Sequence, residues 1–143
     1  MANQICVGLD GSEASIRALD LGMSLAGSSG KLLLVHVIDW SPFVIETFEE
    51  NEYRGAIRKE QLARAEREVI DPAVARVRKA NRAFEAETVF GAPAEELARL
   101  ANAHSVDMIV VGKTGTSKLE RIMFGSKANK LIQVSEVPVA VVP

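Results

Sequence analysis

Short runs rich in Val, Ile and Leu alternate along this chain with longer segments in which apolar residues recur at helical spacing. This alternation is typical of βα units, in which a largely parallel sheet is buried between layers of helices. The 143 residues are enough for one such core, and no internal repeat or linker-like segment divides them. We therefore expect a single α/β domain over residues 1–143. Five strands are predicted, at 4–9, 31–38, 83–90, 107–111 and 137–142.

The segments between these strands carry helix signals. Ser12 is a candidate cap for the first helix. Pro72 interrupts the long charged helix that follows an insertion at 39–52, and it predicts either a kink or a break at Asp71. Helices are expected from Ser12 to 26, from about 53 to 81, over 94–104 and over 126–133.

Composition and charge restrict the classes of partner. The formal net charge of −2 argues against general attraction to nucleic acid or to a membrane surface. No signal sequence and no long apolar segment is present, so we expect a cytoplasmic protein without membrane insertion. The single cysteine, Cys6, lies in an apolar run and is expected to be a buried, inert thiol.

The segment GKTGTSKLERIMFGS, at 112–126, begins with a Gly-Lys-Thr that suggests a phosphate-binding P-loop. A P-loop needs another glycine five residues before that Gly-Lys pair, because this glycine lets the backbone curl around phosphate. Asp107 occupies the position, inside a predicted strand. We conclude that Lys113 does not have the role of a P-loop lysine.

A different glycine pattern remains in this segment: Gly112, Gly115, and then Gly125 followed by Ser126. Glycines at a strand end let the backbone approach a ligand, and a helix that begins at Gly125 and Ser126 would offer unpaired amides to an anion. Residues 112–130 carry five basic residues against one acidic residue, a local charge of +4. The alternative is a glycine-rich loop with a solvated basic face.

Four stretches resemble the universal stress protein family, across essentially the whole chain. They are VGLDGSEAS, LLLVHVID, GAPAEELARLANAHSVDMIVVG and the C-terminal VPVAVV. The spacing G-x2-G-x9-G-[ST] resembles the signature of the family's ATP-binding branch. The resemblance implies a five-stranded parallel sheet in the order 3-2-1-4-5 with helices on both faces, the Rossmann-like fold of adenine nucleotide alpha hydrolases. In this order the winding reverses between the first and fourth strands, where Asp10 and Gly112 would meet.

The resemblance also implies which residues bind an adenine nucleotide. Asp10 would lie by the nucleoside, the backbone at Val37 and Ile38 by adenine, and the glycine segment by ribose and phosphates. Simpler roles stay open: Asp10 as a turn former, Val37 as core and Ser126 as a helix cap. The family's ATP binders often have a small or aliphatic residue where this chain has Lys127. The candidate site residues are Asp10, Val37, Ile38, Gly112, Lys113, Thr114, Gly115, Gly125, Ser126 and Lys127.

By this resemblance, we expect an ATP-binding, homodimeric regulatory or signalling module of a stress response. The ATP would be accompanied by Mg²⁺ or Mn²⁺ held by its phosphates, and a protein partner in transport or signalling is expected. Alternatives are a slow ATPase or phosphotransfer enzyme of the same fold, and an interaction protein that works without nucleotide. No protein-ligand metal site, nucleic-acid partner or catalytic residue is predicted.

Three further predictions concern the last strand, the two histidines and the aromatic insertion. Pro138 cannot donate to a strand ladder, so the last strand is expected at a sheet edge, where 137–142 would pair with a second copy. His36 and His104 match no catalytic or metal-ligand spacing and are expected to be structural. The insertion would cover the nucleotide, a subunit interface or the chain's own core. Its aromatic residues are Trp40, Phe43, Phe48 and Tyr53.

Overall fold

The structure, a computed structural model, describes residues 3–39, 51–113 and 126–143, without the side chains of 51–54 and 126. None of the helices in these ranges is long and apolar enough to cross a membrane. The described elements are β1 (Gln4–Gly8), α1 (Glu13–Ala26), β2 (Lys31–Asp39), α2 (Asn51–Ala65), α3 (Asp71–Lys79), β3 (Ala83–Gly91), α4 (Pro93–Ala103), β4 (Met108–Gly112), α5 (Ser126–Val134) and β5 (Val139–Val142).

The five strands form one sheet in the order β3-β2-β1-β4-β5. All four neighbouring pairs are parallel, which confirms the expected α/β fold and strand order. The edge position of β5 is also confirmed, but this strand begins at Val139, two residues later than predicted. Pro138 has no N–H to give the ladder, although its carbonyl accepts a 2.9 Å hydrogen bond from the Ile109 N–H.

Helices cover both faces of the sheet because alternate strand residues point to opposite sides. In β2, Leu32 and Leu34 pack in a cluster with residues of α1 and α3. Leu33 and Val35 belong to a second cluster, formed with α4 and α5. Each face of the central strands is therefore buried under its own helical layer, which explains why these strands are continuously apolar rather than alternating.

The charged helical region between β2 and β3 does not break at Asp71. The chain stays helical past Pro72, through a π-helical turn at Glu66–Ile70 that joins α2 to α3. The Asp71 N–H donates to the Glu66 carbonyl, five residues back. Since Pro72 lacks an N–H and its ring crowds the preceding turn, a wider turn accommodates it without ending the helix.

Cys6 lies in the middle of β1 and is fully buried. Burial raises the pKa of its thiol to about 12, and the nearby negative charge of Glu87 acts in the same direction. Thiols react as thiolates, so this side chain is unreactive at neutral pH. The predicted burial of this cysteine is confirmed.

Candidate functional site

A cleft lies at the carboxyl ends of the central strands, between β1 and β4, where the strand order reverses. Its cavity volume is about 90 Å³, and the cleft is partly open to solvent. Three strands and the first turns of three helices contribute to it. The lining residues are Gly8, Leu9, Asp10, Ser15, Val35, Val37, Pro93, Ala94, Leu97, Val111, Gly112, Lys127, Ala128 and Leu131.

The floor of the cleft depends on Gly8, a residue that the sequence reasoning missed. A Cβ at this position would lie 2.9 Å from Val111 Cγ1 and 3.1 Å from Leu97 Cδ1. Any side chain on Gly8 would therefore collide with the side chains that form the apolar part of the cleft. A glycine inside a strand pattern is a signal of close approach, and this signal is present in the run CVGLD.

Asp10 lines the cleft just beyond the end of β1. Its Oδ1 accepts hydrogen bonds from the Ser12 N–H, at 2.9 Å, and from the Ser12 hydroxyl. Ser12 Oγ in turn accepts the Ser15 N–H at 3.1 Å, so Ser12 is the cap of α1. Asp10 is thus both a turn former and a cleft residue, and the expectation that Ser12 caps the helix is confirmed.

Gly112 also lines the cleft, and packing within the fold gives a reason for its lack of a side chain. A Cβ on Gly112 would lie 2.8 Å from Ala14 Cβ and about as close to backbone atoms of Ala14 and Ser15. The space in the side-chain direction is therefore filled by the first turn of α1. Glycine at this position lets β4 and α1 pack closely, whether or not a ligand is bound.

The two predicted residues of β2 differ in position. Val37 lines the cleft, and it also packs against the cluster under α4 and α5. Ile38 is not among the lining residues of the cleft in the described part of the chain. Successive strand residues point to opposite faces, so the side chains of Val37 and Ile38 lie on opposite sides of the sheet. The predicted contact of their backbone with adenine stays a prediction.

The two predicted basic residues, Lys113 and Lys127, occupy different positions. The backbone N–H of Lys113 donates to the Val142 carbonyl at 2.6 Å, so this amide joins β4 to β5. Lys127, the second residue of α5, lines the cleft, and its Nζ lies 3.8 Å from Asp39 Oδ2. Ser126 begins α5. Thr114, Gly115 and Gly125 lie outside the described residues, as do the first three aromatic residues of the predicted insertion and the side chain of the fourth.

Neither histidine lines the cleft. His36 Nδ1 lies 2.6 Å from the Leu9 carbonyl oxygen; because that oxygen can only accept, Nδ1 carries the proton. His104 lies between two carboxylates, 3.4 Å from Glu85 and 3.5 Å from Glu87. Within the described ranges, no group of three or more His, Cys, Asp and Glu side chains is arranged to hold a metal ion.

An open parallel sheet with a cleft at its switch point is the architecture of the doubly wound α/β class of proteins. The model of the universal stress protein family matches residues 1–143. This chain therefore belongs to the universal stress protein family, as its resemblance implied.

Individual relatives agree with this assignment. Universal stress protein YxiE of Bacillus subtilis is 33% identical over 155 residues, with 99% of each chain covered. The structure of MJ0577 from Methanocaldococcus jannaschii is similar with a TM-score of 0.78 at 27% identity, covering 99% of this chain and 96% of that one. A universal stress protein solved in complex with cAMP has a TM-score of 0.65 at 27% identity, covering 99% of this chain and 97% of that one.

Proposed function

We propose that this chain binds ATP in the cleft and acts as a homodimeric regulatory module of a cytoplasmic stress response. The observation that carries the proposal is the composition of the cleft. An apolar floor and wall meet a carboxylate at one strand end and a lysine in the first turn of a helix. A nucleotide has the matching parts: a flat base, a polar ribose and an anionic phosphate chain. The family member solved with cAMP shows that one relative at 27% identity binds an adenine nucleotide.

The apolar part of the cleft would hold the base. Val35 and Val37 contribute branched side chains from β2, and Leu97 contributes one from α4. Asp10 lies beside them at the end of β1, where its carboxylate is suited to accept hydrogen bonds from ribose hydroxyls or from the exocyclic amine of a base. This division into an apolar wall and a few polar groups is usual for sites that bind cofactors.

The first turn of α5 would hold the phosphates. The first N–H groups of an α-helix point outward along its axis, and the helix dipole is positive at this end. Lys127 and Ala128 place this turn in the cleft lining. Roles for Thr114, Gly115, Gly125 and the Ser126 hydroxyl in contacting phosphate remain part of the proposal. Mg²⁺ or Mn²⁺ would be bound mainly by the phosphates, as such ions commonly are in nucleotide sites.

We propose regulation rather than catalysis because of the hydrogen bonds that Asp10 accepts. It is the one carboxylate among the described lining residues, and both hydrogen bonds from Ser12 go to its Oδ1. A general base must lie within hydrogen-bond reach of an attacking water, whereas Oδ1 of Asp10 is already held by Ser12. A steady-state assay should therefore show no ATP turnover above that of an Asp10→Asn variant.

The homodimer would form through β5. The Pro138 carbonyl accepts a hydrogen bond from Ile109 in β4, and the Val142 carbonyl accepts one from Lys113, directly after β4. Because successive backbone groups point to opposite edges, those of Val139 and Val141 point away from β4. This strand is one of the two edges of the described sheet, and its side chains are only partly buried. Pairing with the same strand of a second copy would satisfy these groups and cover the valines.

The first experiment identifies the ligand directly. The purified protein is denatured under mild conditions and any released nucleotide is identified by mass. Binding of ATP, ADP and AMP to nucleotide-free protein is then measured by calorimetry. Binding of ATP is expected, and absence of both co-purified nucleotide and measurable binding would disprove the proposal.

A matched pair of variants tests the location of the site. Val37 and Val89 are cross-strand neighbours in β2 and β3, and both are partly buried against the same core cluster. Only Val37 lines the cleft. Val37→Phe should fill the space beside the base and lower ATP affinity at least about tenfold, whereas Val89→Phe should leave it unchanged. Equal effects of the two variants would contradict this location.

A further inference from the structure

An ion pair joins two elements that border the cleft. Asp39 ends β2 and Lys127 is in the first turn of α5, with 3.8 Å between Oδ2 and Nζ. Both side chains are about half exposed, at 60% and 52%. Since Lys127 lines the cleft and α5 begins there, this carboxylate lies beside the position proposed for the phosphates.

A second ion pair on the same helix provides a reference. Lys130 Nζ lies 3.8 Å from Glu95 Oε1, and these side chains are 53% and 48% exposed. The two ion pairs thus have the same distance and similar exposure, and both lysines are in α5. Neither Lys130 nor Glu95 lines the cleft. Exposed pairs of this kind are weak, because water and salt screen them and ordering two long side chains is unfavourable. A multiply charged anion can therefore displace Asp39 from Lys127.

We propose that Asp39 is a specificity-determining residue of the cleft, which sets affinity according to the charge of the phosphate chain. It competes with the ligand for Lys127, and its own negative charge repels phosphate. Both effects increase with the number of negative charges that the ligand brings to the first turn of α5. They therefore lower the affinity for ATP more than the affinity for AMP. This inference depends on the proposed function, because it requires that a nucleotide binds in the cleft.

This competition predicts whether ATP affinity rises or falls in each of two variants. Removing the charge of Asp39 with a side chain of the same shape should strengthen ATP binding, although the substitution deletes an ion pair and adds no contact. Removing the charge of Lys127 should weaken ATP binding. If the two residues act on each other, the gain from Asp39→Asn should shrink when Lys127 is already Gln, because a double-mutant cycle isolates their interaction.

The experiment compares Asp39→Asn, Lys127→Gln and the double variant with the unmodified chain, using calorimetric titration with ATP and with AMP. The expected result is a gain of about two- to fivefold in ATP affinity for Asp39→Asn, the range that exposed ion pairs support. AMP affinity should change less, and the ATP gain should fall as salt is raised. Glu95→Gln and Lys130→Gln are the controls, and both should leave nucleotide affinity unchanged.

The outcomes separate this inference from the proposed function. If the unmodified chain binds ATP and Asp39→Asn binds it no more tightly, the role of Asp39 is disproved while nucleotide binding stands. Equal gains for ATP and AMP, or a gain that persists in full in the Lys127→Gln background, would also overturn it. If neither nucleotide binds any variant, the proposed function fails and the inference fails with it.

Discussion

Replacing Gly112 by alanine tests whether this glycine serves the fold or the ligand. The added Cβ would lie 2.8 Å from Ala14 Cβ, 2.9 Å from the Ala14 carbonyl carbon and 3.0 Å from the Ser15 nitrogen. Two of these atoms belong to the backbone of α1, which cannot rotate away as a flexible side chain can. The strand and the helix must therefore move apart, and the close packing between them is lost.

One methyl group forced into a packed interface costs about 1–3 kcal/mol. For a chain of this size, Tm should fall by roughly 3–10 °C. The free energy of unfolding is measured by chemical denaturation of nucleotide-free protein, so that loss of ligand cannot cause the change. Gly55→Ala is the control, because Gly55 is in an exposed part of α2 and a Cβ there has no neighbour within 4 Å. That substitution should stabilise by about 0.5–1 kcal/mol through helix propensity.

The two interpretations of Gly112 differ in what they expect of the nucleotide-free protein. If the glycine only made room for ligand, the alanine variant would be as stable as the unmodified chain and would differ in affinity alone. A change in unfolding free energy smaller than about 0.5 kcal/mol, the usual range for surface substitutions, would refute the packing argument.

Two other predictions concern charge and assembly. A hydrogen bond from the Lys31 ammonium, 2.9 Å away, lowers the pKa of Glu85, so this pair stabilises the fold above the ordinary glutamate pKa and the contribution is lost as pH falls. Lys31→Met should therefore make the stability of the folded state less dependent on pH in acid, as followed by denaturation at several pH values; an unchanged pH profile would contradict this. Val139→Lys and Val141→Lys should convert the proposed dimer to monomer in native mass measurements, and unchanged assembly would exclude β5 as the interface.

Individual strands and helix caps could be predicted because the residues that determine them lie within or next to each element. The apolar run LLLV and its neighbours predicted β2 to within one residue at its end, and Ser12 was recognised as a cap from its place before a helical period. Pro72 predicted a disturbance in the long helix, but a π-helical turn depends on how the whole helix packs and leaves no separate sequence signal. Strand order came from the family resemblance, since the same alternation of elements is compatible with several orders.

The site was less accessible to sequence reasoning because its geometry depends on contacts between distant segments. Asp10 was expected at this edge from the rule that ligands bind at the switch point and Val37 from the family resemblance, and both line the cleft. The packing of Gly112 could not be predicted because Ala14, which fills the space beside it, is far away in the sequence. The pairing of Asp39 with Lys127 could not be predicted either, since it depends on the relative position of β2 and α5.

The burial of Cys6 makes this protein convenient for site-specific labelling. The chain has one cysteine in total, and its thiol is fully buried with a pKa of about 12. Maleimide reagents, which react with accessible thiolates, should leave the native chain unmodified at neutral pH. A cysteine introduced at an exposed position would then be the single reactive site. A fluorophore at exposed Ile132 on α5, for example, could report ligand binding without first removing the natural thiol.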